Sequence, residues 1–114
     1  QIQVIATGTV QASGTGNDGY GSGFYSDVQV QDGNTIASAS GNGGNIDLAL
    51  AHLLLSDNGT VSAKSNGAGD AGQIIVNASA SIELENSASM TNQADYAGGV
   101  QITANAGDLL YINN

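Results

Sequence analysis

The chain has 114 residues, with ten acids against a single Lys and no Arg, a formal net charge of −9; this removes the cationic surface that nucleic-acid backbones and anionic lipid headgroups require. Seventeen glycines, no proline and only 4% aromatic residues exclude a small globular core built on large rings and favour many turns around small aliphatic side chains. The lack of cysteine excludes disulfides and thiolate metal sites, and no apolar run is long enough to cross a bilayer as a helix.

In chain order the first element is Ile2/Val4, apolar residues two apart, the mark of a strand with one face inward. Residues 7–26 then break the pattern with glycines and are expected as an insertion loop. Tyr20, Phe24 and Tyr25 make that stretch a contact loop, or else a surface loop whose rings pack on the side of the fold. Val28/Val30 and Ile36 come next. A second round opens with Ile46/Leu48 after Gly44, continues with Leu53/Leu55 and places Val61 six residues later. The order returns as Ile74/Val76 after Gly72, then Ile82/Leu84 and Met90, and again as Val100/Ile102 after Gly98-Gly99, then Leu110/Ile112.

Corresponding positions such as Val30, Leu55, Leu84 and Ile112 stand 25 to 29 residues apart, and the Gly/Asn/Ser/Asp-rich stretches between them read as loops. Short β-branched strands joined by turns too brief for crossover helices stack only by coiling upon themselves. The expectation is one all-β domain over residues 1–114, a right-handed parallel β-helix with three faces and about four coils of 25–29 residues. Its first face carries the columns Ile2, Ile46, Ile74, Val100 and Val4, Leu48, Val76, Ile102. The second carries Val28, Leu53, Ile82, Leu110 and Val30, Leu55, Leu84, Ile112, and the third carries Ile36, Val61, Met90.

The segments Gly41–Ile46 (Gly-Asn-Gly-Gly-Asn-Ile), Gly69–Ile74 (Gly-Asp-Ala-Gly-Gln-Ile), Tyr96–Val100 (Tyr-Ala-Gly-Gly-Val) and Leu53–Ala63 resemble the repeats of filamentous-haemagglutinin-like proteins. The resemblance covers Val28 to Asn114 and departs from the family over residues 7–26. It implies a right-handed parallel β-helix of a bacterial exoprotein exported by two-partner secretion, with a role in adhesion or cell-surface structure; fold alone does not settle which.

Catalytic chemistry has little to stand on. Glu83 and Glu85 share the outward side of one strand, but the outward positions beside them, Leu54, Ser56, Tyr111 and Asn113, offer no partner acid or base. His52 is a lone histidine at a bend, and Lys64 leaves a strand toward solvent. No enzyme activity and no cofactor are expected. The nearest candidate is calcium, because Asp18, Asp27, Asp32, Asp57, Asp70 and Asp95 lie in or beside turns, yet no calcium loop motif is intact. Asn58-Gly59-Thr60 and Asn77-Ala78-Ser79 fit the glycosylation acceptor pattern, which a chain this rich in Asn, Ser and Thr also produces by chance.

The third face is flanked by small residues, Thr35 and Ala37, Thr60 and Ser62, Ser89 and Thr91. Stacked, they form a flat face of hydroxyls and methyls suited to lateral packing or to an ice-binding ladder. Ile2 and Val4 at one end, with Leu110 and Ile112 at the other, leave open columns and unpaired strand edges for self-association. Gln1 reads as the start of a processed or excised chain. Composition points outside the cell, and the resemblance together with the open ends leads to the expectation of a non-catalytic structural module of an extracellular bacterial surface fibre or adhesin. Its partners are then copies of itself or adjacent repeats of a longer chain, and host or matrix glycans, with no nucleic acid and no membrane insertion; the rival class is an ice- or glycan-binding module.

Overall fold

A computed structural model describes residues 1–17, 19–27, 42–65, 69–94 and 101–113. Among these residues the chain is all-β. Nine strands form: β1 (Ile2–Ile5), β2 (Thr9–Ser13), β3 (Gly23–Tyr25), β4 (Ile46–Ser56), β5 (Thr60–Ser62), β6 (Gln73–Glu85), β7 (Ser89–Thr91), β8 (Gln101–Ala106) and β9 (Leu109–Asn113). One sheet runs β1-β4-β6-β8, with β2 also on β4 and β9 also on β6; a second runs β3-β5-β7. Every strand pairing in both is parallel.

The two long strands each serve two consecutive strand positions. β4 carries Ile46–Leu50 and then His52–Ser56, and its register against β6 slips between Leu50 and His52. Leu50 sits beside Ala78 but His52 beside Ser81, so β6 holds one more residue at the bend than β4. Side-chain partners across the pairing are accordingly 28 residues apart before the bend and 29 after it.

Inward positions alternate with outward ones, and the inward set is aliphatic. Ile46, Leu48, Leu53, Leu55, Val61, Ile74, Val76 and Ile82 are completely buried. Their burial on both sides by like neighbours is the main favourable term, about 1.5–3 kcal/mol for each side chain. The columns Ile2–Ile46–Ile74 and Val4–Leu48–Val76 stand as expected, as do Leu53–Ile82–Leu110, Leu55–Leu84–Ile112 and Val61–Met90.

Three parts of the expected register are corrected. The second-face partners of Leu53 and Leu55 are Val10 and Ala12 in β2, not Val28 and Val30. The third-face partner of Val61 is Phe24 in β3, not Ile36. Residues 7–26 are therefore not one insertion loop: they contain β2 and β3, while Val28, Val30 and Ile36 lie outside the described residues. The physical reason lies in glycine. A Cβ at position 23 would collide with the carbonyl of Thr60, so the glycine that looks like a loop residue is what lets β3 approach β5. In the last round Ile102 partners Ile74 and Ala104 partners Val76, two residues out from the expected match of Val100, which lies outside the described residues, and Ile102. Backbone pairing sets the register there, and small Ala104 fills an inward position that a larger aliphatic occupies elsewhere.

Tight turns link the second and third strand positions. Asp57 and Asn58 both have positive φ (48° and 71°), and so do Asn86 and Ser87 (51° and 66°). Each turn closes by a backbone bond, Gly59 N–H to Ser56 O at 2.8 Å and Ala88 N–H to Glu85 O at 3.1 Å. Two left-handed residues in succession favour Asn and Asp among the non-glycine residues, and Ser87 bears the larger cost. The turns also stack, for Asn58 N–H donates to Asn86 O, and Asn86 Nδ2 donates to Asp57 Oδ1 at 3.1 Å.

Two outcomes test this account by urea unfolding. Ile82→Ala costs about 2–5 kcal/mol because it opens a cavity between filled layers, whereas Ile112→Ala, at an exposed end, costs well under half as much. Ser87→Gly raises stability by about 0.5–1 kcal/mol by relieving the left-handed backbone, and a loss there would show that the turn is not strained.

Candidate functional site

Among the described residues two places are taken up as candidate sites: the apolar end of the stacked strands and the aromatic cleft beside β3. At the end formed by β8 and β9 the inward columns meet solvent. Ile102, Leu110 and Ile112 are 43%, 51% and 61% exposed, whereas the residues beneath them, Ile74, Ile82 and Leu84, are at 0%, 0% and 6%. With Met90 and Ala104 they surround an open apolar depression of about 330 Å³. At the opposite end Ile2, Val4, Val10, Ala12 and Phe24 pack against the core but are only partly buried. Both ends of the core are thus apolar, and the expected end residues Ile2, Val4, Leu110 and Ile112 sit there. Val10 and Ala12 belong with them, although sequence reasoning missed both; the alternation Thr-Val-Gln-Ala-Ser in residues 9–13 was the available signal.

On the third face Thr60 stacks on Ser89 and Ser62 on Thr91, as expected. Thr60, Ser89 and Thr91 are half-buried, but Ser62 is completely buried, and its hydroxyl donates to Asp27 Oδ1 at 2.7 Å. The same oxygen accepts the backbone N–H of Lys64 at 2.8 Å. Asp27 thus locks the chain leaving β3 over the end of β5. Thr35 and Ala37 lie outside the described residues. No feature of the sequence marks Asp27 for this role, because its two partners are 35 and 37 residues away.

Tyr20 and Tyr25 come together and Phe24 does not join them. Phe24 points inward onto Val61 and packs on the core. The two tyrosine rings meet edge to face, centroids 6.3 Å apart and planes at 85°. They line a cleft of about 610 Å³ with Asp27 and the glycines around β3.

The remaining candidates stay apart. His52 Nδ1 and Ser81 Oγ share a hydrogen bond of 2.8 Å between adjacent outward positions, but among the described residues no acid hydrogen-bonds to the ring, and Ser81 is largely buried. Glu83 lies between Leu54 and Tyr111, as the spacing implied, and Glu85 beside Asn113. Among the described residues no group of three or more His, Asp or Glu is placed to hold a metal ion; Asp18, Asp32 and Asp95 lie outside them.

Fold and surface together define an all-β chain of stacked parallel strands with apolar ends. No family model, curated protein or solved structure matches it, so the likeness to filamentous-haemagglutinin-like repeats rests on the sequence motifs alone.

The Asp27 lock is directly testable. Asp27→Ala removes the acceptor of two hydrogen bonds and lowers unfolding stability by about 1–3 kcal/mol. Asp27→Asn keeps an oxygen in that place and loses less; equal losses would show that the charge, not the geometry, holds the corner.

Proposed function

We propose that the parallel sheets wind as a right-handed β-helix. In this reading the chain is a non-catalytic structural module of an extracellular bacterial surface fibre or adhesin, joined end to end with copies of itself or with adjacent repeats of a longer chain. The observation that carries the reading is the gradient along the inward columns, from complete burial at Ile74 and Ile82 to half-exposure at Ile102 and Leu110. An apolar column that ends in water is stabilised by one more layer, at about 25 cal/mol for each Å² covered.

Backbone chemistry points the same way. Among the described residues the outer strands of the stack pair on one side only, and such an edge is a template for another parallel strand. The half-buried residues of β1, β2 and β3 supply a complementary layer, because Ile2, Val4, Val10 and Phe24 already pack in this manner on Ile46, Leu48, Leu53 and Val61. The net charge of −9 opposes the approach of two copies and is screened by salt over about 8–10 Å at ordinary ionic strength.

Electron microscopy of the purified chain tests the proposal. Filaments are expected with an axial repeat of about 19 Å per chain, four strands at the parallel spacing, growing better as salt is raised. Ile112→Asp places a charge in the joint and leaves single molecules with unchanged circular dichroism. A wild-type chain that stays monomeric at every salt concentration removes self-stacking from the reading.

A further inference from the structure

The aromatic cleft beside β3 has a specific construction. Between β2 and β3, residues 14–17 and 19–22 form an excursion that closes on itself. Gly16 N–H donates to Tyr20 O at 2.8 Å, Gly19 N–H to Gly16 O at 3.0 Å, and Thr15 bridges Gly21 in antiparallel fashion. The excursion is moored at both feet, by Gly14 N–H on Asp57 O at 2.9 Å and by Thr60 N–H on Ser22 O at 2.8 Å, and Ser22 N–H on Gly14 O at 2.9 Å ties the feet together. Gly21 lies so close to the carbonyl of Asn58 that a Cβ there would collide with it. The floor of the cleft is therefore fixed to the turn beneath.

The walls are fixed too. The Tyr25 hydroxyl donates to Gly21 O at 2.5 Å, and the Tyr20 ring stands at 85° to the Tyr25 ring, yet both rings keep surface for a ligand, at 57% and 36% exposure. Asp27, held by Ser62 and Lys64, brings a carboxylate to the same cleft. The faces of aromatic rings carry partial negative charge, so two phenol rings and a carboxylate converge in a protein that has ten acids and one Lys. An anion is repelled from such a place. A pyranose ring prefers one broad platform, which two perpendicular rings do not offer. A compact cation fits the corner, since attraction to a ring face holds within about 6 Å of its centroid and is strongest for a weakly hydrated ammonium group.

We propose that this cleft binds an organic ammonium group, quaternary or lysine-like, seated against Tyr20 and Tyr25 with Asp27 as counter-charge. The inference goes beyond the fibre reading and stands without it, for every residue lining the cleft comes from one chain.

The test uses the full chain, monomeric through Ile112→Asp if filaments form, titrated at constant ionic strength and followed by NMR of the tyrosine rings. The probes are choline, Nα-acetyl-lysine amide, the neutral choline isostere 3,3-dimethylbutan-1-ol, and glucose. Saturable shifts at Tyr20 and Tyr25 are expected with at least one of the two ammonium probes, and the isostere should bind about tenfold more weakly or worse. Tyr20→Ala abolishes the response. Asp27→Asn, which keeps the acceptor for Ser62 and Lys64, weakens it about tenfold, and Tyr111→Ala leaves it unchanged. The proposal is overturned if neither ammonium probe saturates, if the isostere binds as tightly as choline, or if glucose alone moves these resonances, which would make the cleft a saccharide site.

Discussion

The structure depends on one constraint: each strand hydrogen-bonds in parallel to the stretch of chain one round later, 28 or 29 residues on through the well-formed middle. Parallel neighbours at about 4.8 Å place every side chain directly against its counterpart in the next round. Whatever occupies an inward position must then tolerate the same kind of residue above and below. Ile, Leu and Val do so at the cost of no unsatisfied group, which is why the core needs no aromatic layer beyond Phe24.

The same geometry is demanding for polar groups. Identical charges repeated at that spacing would repel one another at every layer, and the acids avoid it. Asp47 stands between Gln3 and Ile75, and Glu83 between Leu54 and Tyr111. Asp57 faces Asn86, whose amide donates to it. Amide side chains take the opposite course and bridge the layers: Asn105 Nδ2 donates to Asn77 Oδ1 at 2.8 Å, while Asn45 Oδ1 and Asn42 Oδ1 each accept the backbone N–H of the residue 28 further on, Gln73 and Asp70. An amide both donates and accepts, so it can repeat where a carboxylate cannot. The abundance of Asn thereby acquires a mechanical role in joining layers, beside its tolerance of left-handed turns.

Side and end of the stack differ in what they offer a partner. Along the sides, outward residues are mixed, and Asp27 draws the chain over Ser62. At the ends the columns are simply cut, and the apolar surface there is the core itself.

The amino-acid sequence by itself determined the strand class, the three-element order of each round and the inward columns of the second and third rounds, because alternation in Ile46–Leu55 and Ile74–Leu84 is dense and large aliphatics can only face inward. Tertiary structure decided the rest. Glycines around Val10, Ala12 and Phe24 make that stretch read as a loop, and the reason for Gly23, the nearness of the Thr60 carbonyl, exists only once β3 lies on β5. The slip from Val100 to Ile102 has the same origin: backbone bonds of the preceding strand choose the register, and a side chain as small as Ala104 does not announce its place. The Asp27 lock and the Tyr20/Tyr25 corner join residues across turns or rounds whose spacing carries no local pattern, so their meeting follows from the path of the backbone and could not be read from the residues alone.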